Sequence, residues 1–228
     1  MKNALILGVS GILGQAIAKK IINEGYTVFG TFHKNELPIG LINSQKIKLF
    51  KLDFSRIEEI DKYFESIKQV KFDFIVNTIA NPCVFDKFEK IKINIFEDDF
   101  KVNVLNYIYF LQKAIPNLNQ NSNIIFILTD MIHNPKSYFS SYISSKYALL
   151  GLMKCLSQEL KSKNIRVNSL SPGIMNTKFT WNLNIGGKVL KIPEKKNQQF
   201  VNPINVAESI IRILKDETIN GFDMEVKT

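Results

Sequence analysis

Apolar residues along the chain fall into short dense blocks rather than strict alternation. Residues 3–9 (NALILGV), 26–32 (YTVFGTF), 46–52 (KIKLFKL), 72–78 (FDFIVNT), 123–129 (NIIFILT), 165–171 (IRVNSLS) and 222–226 (FDMEV) are such blocks. Runs of this length read as strands buried on both faces, as in a parallel sheet covered by helices. Segments around 12–24, 56–69, 97–115, 140–162 and 204–215 between them carry helical patterning. The first places Leu13, Ile17 and Ile21 at four-residue spacing, which forms one apolar stripe. After the second strand, HKNELPIGLINSQ is too short and broken for a full helix. The alternation predicts a doubly wound α/β fold, with a mainly parallel seven-stranded sheet and helices on both faces. No linker, repeat or low-complexity tract divides the chain, and 228 residues suit a single domain over 1–228.

Composition adds limits. The net charge of +9 raises the question of nucleic acid, but the lysines are scattered and no dense basic run is interleaved with aromatics. Solvated charge on a lysine-rich chain is the favoured reading, with no nucleic-acid partner. Cys83 and Cys155 are far apart, with no CxxC or Cys/His cluster, so no metal site is expected; two reduced thiols fit a cytoplasmic protein. The N-terminus MKNALILGVSGILGQAIAKK imitates a secretory signal. It divides instead into a strand, a glycine turn and an amphipathic helix, and its removal would delete the first strand. No apolar run approaches the roughly 20 residues that span a bilayer.

LGVSGILGQAIA follows the first strand and opens the first helix, with Gly8, Gly11 and Gly14 in the pattern GxxGxxG. Glycines suit a turn whose backbone must approach a pyrophosphate, and the helix N-terminus offers free N–H groups to phosphates. A tight turn with no ligand is the competing reading, weakened by the position directly after the first strand. Enzymes that prefer NAD usually end the second strand with an acid that binds the ribose hydroxyls. Here that end reads GTFHKN, and His33 with Lys34 would suit a 2′-phosphate, which favours NADP over NAD. The alternative is two solvated loop residues.

SYFSSYISSKYALLGLMK puts Tyr142 and Lys146 four positions apart, on one helix face. Together with the glycine turn, the pair makes the chain resemble the compact, single-domain branch of the short-chain dehydrogenase/reductase family over nearly its whole length. The resemblance implies a Rossmann-like fold and cofactor contacts along the turn at Gly8, Ser10, Gly11, Ile12, Leu13 and Gly14. The middle glycine comes one residue earlier than in the family's TGxxxGxG turn. Asp53 and Phe54 in KLDFS fall where the family places an aspartate beside adenine. VNTIAN stands for the family's NNAG, with Asn77 retained, Thr78 for the second Asn and Ala80 for the final Gly. FKVNVL supplies the helix asparagine, Asn103, and LSPGIMNT supplies Pro172, Gly173, Ile174 and Thr177 for the nicotinamide loop.

The family's catalytic serine precedes its tyrosine by thirteen residues, a position held here by Thr129. Threonine keeps the hydroxyl but adds a methyl group and a stiffer χ1. Asp130 beside it is unusual at that position. The resemblance implies a set of Asn103, Thr129, Tyr142 and Lys146, with Lys146 drawing the Tyr142 pKa below its usual value of about 10. It implies an NADP-dependent reaction between a carbonyl and an alcohol on a small molecule. The competing reading is a cofactor-binding regulator or redox sensor that has lost turnover, motivated by Thr129 and the altered NNAG. A substrate lid is expected at about 175–201, with Trp181, Gly186, Gly187, Lys188, Lys191, Lys195 and Lys196; its lysines would favour an anionic substrate. Tyr107, Phe110, Leu149 and Met153 read as apolar beyond what one sheet face needs, on two helices whose counterparts in the family pair across a twofold axis, so the resemblance implies a homodimer or homotetramer. The ending GFDMEVKT lacks the family's VDGG-like tail, which argues against a tetramer built through that end.

Overall fold

The computed structural model describes residues 2–34, 44–177 and 199–228, with backbone strands at 183–185 and 188–190. Its main sheet contains β1 (Lys2–Leu7), β2 (Tyr26–Phe32), β3 (Ile47–Lys51), β4 (Phe72–Asn77), β6 (Leu118–Ile127), β7 (Arg166–Pro172) and β10 (Asp223–Val226). They lie in the order β10-β7-β6-β4-β1-β2-β3, and each adjacent pair is parallel. A small second sheet joins β5 (Val84–Phe85), β8 (Leu183–Ile185) and β9 (Lys188–Leu190). The helices are α1 (Ile12–Asn23), α2 (Ile57–Ser66), α3 (Ile93–Asp99), α4 (Asn106–Ala114), α5 (Ser140–Glu159) and α6 (Pro203–Lys215).

Each face of the sheet has its own core. Within β1, Leu5 and Leu7 face a core built with α2, α4 and α5, while Ala4 and Ile6 face one built with α1 and α6. All four are fully buried, which is why the strand reads as continuously apolar. The α1 stripe packs as its spacing predicts, with Ile17 and Ile21 buried against α6 residues such as Val206 and Ile210. Burial of each such side chain contributes about 1.5–3 kcal/mol. Strand order reverses at β1, between β4 and β2, so a crevice opens beyond the C-terminal ends of β1 and β4.

Three expectations change. The helix predicted over 97–115 is composite: α3 and α4 are joined through a π-helical stretch, Phe100–Leu105. β6 begins at Leu118, well before the predicted 123, and an irregular register against β4 absorbs the added residues. Tyr107, Phe110, Leu149 and Met153 are not surplus surface. They are 1%, 0%, 4% and 0% exposed and fill the space between helices and sheet, so they lend nothing to an oligomer. Tyr107, for example, packs edge-on against Phe126 of β6 at 5.2 Å. The broken segment after β2 falls at 33–45, and its residues 35–43 lie outside the described residues.

Candidate active site

The turn after β1 is held by backbone geometry. Gly8 takes φ 80°, a conformation that favours glycine, and ends the strand two residues before its predicted limit. At Gly14 a Cβ would sit 2.3 Å from the Gly8 carbonyl oxygen and 2.9 Å from Val9 Cα, so only glycine lets α1 pack this closely on the turn. The Gln15 side chain donates to the Ser10 carbonyl at 2.8 Å and braces the loop. The N-terminus of α1 has Gly11 as its cap, no side-chain capping bond and no acidic residue in the first turn. Its amide groups and dipole are thus available to an anion.

From this turn a cavity of about 1250 Å³ runs along the C-terminal edge of the sheet. Every residue singled out above as cofactor-binding lines it, from Gly8 to Thr177, together with Thr129, Tyr142 and Lys146. Asn103 does not; it lies 1% exposed behind the wall. On the β2 and β3 side stand His33, Lys34 and Asp53. His33 Nε2 is 3.5 Å from an Asp53 carboxylate oxygen, so the imidazole is engaged, and Lys34 beside it is exposed. Burial works to raise the Asp53 pKa, but the Ser55 hydroxyl and amide, with His33 and Lys34, outweigh it and hold the carboxyl below its usual value.

VNTIAN acts partly as a strut. Thr78 Oγ1 donates to the Leu7 carbonyl at 2.7 Å, tying β4 to the glycine turn. Asn77 Oδ1 accepts from the Ile79 amide at 2.8 Å. On the β7 side, Gly173 donates its amide to the Val226 carbonyl at 3.0 Å, and the Ile174 carbonyl accepts from Val201 at 2.9 Å. A parallel bridge between Met175 and Val201 closes the two ends of the segment named above as a lid. Trp181, Gly186, Gly187, Lys191, Lys195, Lys196 and the Lys188 side chain lie outside the described residues.

Tyr142, Lys146 and Thr129 meet on the β6 side. Thr129 and the Tyr142 phenol share a hydrogen bond. Lys146 Nζ donates to the Ile127 carbonyl at 2.9 Å and lies 5.5 Å from the Tyr142 ring centre. Burial pushes the Lys146 pKa down to about 8, opposed by the charge of Asp99. The expectation that Lys146 draws the Tyr142 pKa down is not met. Burial raises it, and Cys83, Asp99 and Asp130 raise it further, against the Thr129 hydrogen bond. The phenol is therefore held protonated, ready to donate.

Behind this wall lies a network that the sequence pattern did not expose. Asn103 Oδ1 accepts from the Asn81 amide at 2.8 Å, and its Nδ2 donates to Ser145 Oγ at 3.1 Å. Ser145 in turn donates to the Tyr142 carbonyl at 2.7 Å. Asp99, 0% exposed, accepts from Asn81 Nδ2 at 2.9 Å and from the Ser141 hydroxyl. One signal was present: Asp99 and Asn103 are four residues apart, so an acid shares the asparagine's helix face. The π-helical stretch carries Asn103, and such stretches recur at functional sites.

Fold and cavity define the class, a Rossmann-like oxidoreductase. A short chain dehydrogenase family model matches residues 2–186. The chain therefore belongs to the short-chain dehydrogenase/reductase family. It is 26% identical to a 3-oxoacyl-(acyl-carrier-protein) reductase of Staphylococcus epidermidis, over 95% of this chain and 92% of the relative. It is 29% identical to an L-rhamnose 1-dehydrogenase (NADP(+)) of Thermoplasma acidophilum, over 77% and 73%. Among solved structures, a short chain dehydrogenase family protein from Francisella tularensis superposes with a TM-score of 0.86 at 25% identity, covering 99% and 97% of the two chains. No helix among the described residues is long and apolar enough to cross a membrane.

Proposed function

We propose that this chain is an NADP-dependent oxidoreductase that interconverts a carbonyl and an alcohol, with Tyr142 as its general acid and base. The observation that carries the reading is one cavity holding both halves of the chemistry. Thr129, Tyr142 and Lys146 line it beside β6, and the uncapped N-terminus of α1 lines it after β1. The residues fit a dinucleotide: the turn excludes a Cβ at Gly14, and Lys34 presents a cation where a 2′-phosphate would lie. A nicotinamide dinucleotide supplies hydride exchange at the carbonyl carbon. Thr129 holds the substrate oxygen, and Tyr142 delivers its proton to that oxygen in reduction or removes one in oxidation. Lys146, 5.5 Å from the ring centre, is placed to hold the ribose of the dinucleotide beside the tyrosine.

The walls near Tyr142 favour an apolar group beside the reacting carbonyl, because Cys83, Met131 and Phe139 line the cavity around its ring. The lysines at 188, 191, 195 and 196 are our proposed source of attraction for an anionic tail. NADPH consumption across a carbonyl panel tests the reading, with 3-oxoacyl thioesters, aldoses and diketones included. At least one class is expected to be reduced. Tight NADPH binding without turnover on the whole panel would favour the regulator instead.

A further inference from the structure

We infer that Asp99 is a buried positioning residue that ties the floor of the active site to the tyrosine helix, and that its charge acts on Lys146. The inference rests on the oxidoreductase reading for its meaning, though not for its test. Asp99 ends α3, is 0% exposed, and its two carboxylate oxygens serve two different elements. Oδ1 accepts from Asn81 Nδ2 at 2.9 Å, in the loop after β4. Oδ2 accepts from the hydroxyl of Ser141, which directly precedes Tyr142 on α5. The Asn81 amide then fixes Asn103, whose side chain reaches Ser145 and through it the Tyr142 carbonyl. A single carboxylate thus links the loop below the cavity to the helix that carries the tyrosine and the lysine.

A buried carboxylate is retained at a cost unless something uses its charge. Here burial raises the Asp99 pKa and Asp98 adds to that, while Ser141, Asn81 and Lys146 oppose it. Asp99 is also the charge that offsets the desolvation of Lys146, and it disfavours the phenolate of Tyr142. The titratable groups that meet around it are Asp98 on its own helix, Cys83 in the loop after β4, and Tyr142 and Lys146 on α5. Asp130 reaches Tyr142 from the β6 side. Loss of the Asp99 charge therefore moves Lys146 and Tyr142 in the same direction, toward earlier loss of their protons.

The test is an NMR titration of lysine side chains labelled with ¹³C at Cε, in parent and Asp99→Asn protein, with no substrate or cofactor. Lys146 is identified as the signal missing from Lys146→Met. Asp99→Asn keeps the size and an acceptor oxygen but removes the charge. It is expected to move the Lys146 midpoint to lower pH by more than about half a unit. By reciprocity, Lys146→Met should move the Asp99 carboxyl midpoint to higher pH, a measurement that needs no Asp99 variant. An unchanged midpoint in either arm overturns the inference, because a merely structural carboxyl would leave both titrations alone. Failure here leaves the oxidoreductase reading standing, since that reading is judged by turnover.

Discussion

The two sides of the cavity are built from different materials. The phosphate side is nearly all backbone: a glycine at φ 80°, a glycine whose missing Cβ lets α1 approach, and free amides at a helix N-terminus. The catalytic side is nearly all side chain, with Thr129, Tyr142 and Lys146 in front and Asn103, Ser145, Asn81 and Asp99 behind. At Gly8 and Gly14 the backbone geometry tolerates no added atom. A side-chain network tolerates changes of shape but depends on hydroxyls, protons and charge. Substitutions should therefore fail in different ways on the two sides.

The largest break is on the backbone side. Gly14→Ala places a methyl group 2.3 Å from a carbonyl oxygen that belongs to the turn itself. It is expected to cost about 3 kcal/mol of stability and to abolish dinucleotide binding. Thermal unfolding and a fluorescence titration with NADPH measure the two losses, and unimpaired binding would show that the turn is not the phosphate site. On the catalytic side, Thr129→Val keeps the shape and removes the hydroxyl. We expect kcat to fall about a hundred-fold with cofactor affinity retained, and Thr129→Ser to preserve or raise activity. Steady-state kinetics on the three proteins decide it. The smallest effect is Lys34→Ala, which should weaken NADPH about five-fold and leave NADH alone. Equal affinities for the two cofactors in the parent would remove the basis of that prediction.

The same contrast explains what the sequence made legible. Gly8 and Gly14 are visible because a positive φ and close backbone approach leave one residue type able to serve, and with Gly11 they repeat at fixed spacing. Doubly wound order followed from apolar blocks such as ALIL in β1, which are buried on both faces. Tyr142 and Lys146 were legible as a pair on one helix face. Asp99 and Asn81 were not, because they meet across 18 positions and no local pattern marks the encounter. The direction of the Tyr142 pKa was missed for a related reason: it depends on burial and on Cys83, Asp99 and Asp130, which arrive from three separate elements. Tyr107 and Met153 misled in the opposite way, since apolar residues on a helix look alike whether they meet a sheet or a second subunit.

The central claim is that the hydroxyl of Tyr142 moves the proton while other groups hold the dinucleotide. Tyr142→Phe removes that hydroxyl and keeps the buried ring against Lys146. NADPH affinity and single-turnover reduction of the best carbonyl from the panel are then measured on parent and variant at neutral pH. The account predicts affinities within a factor of about two and a reduction rate about a thousand-fold lower in the variant. A variant that reduces the carbonyl at the parent's rate would contradict it and move the proton donor elsewhere in the cavity.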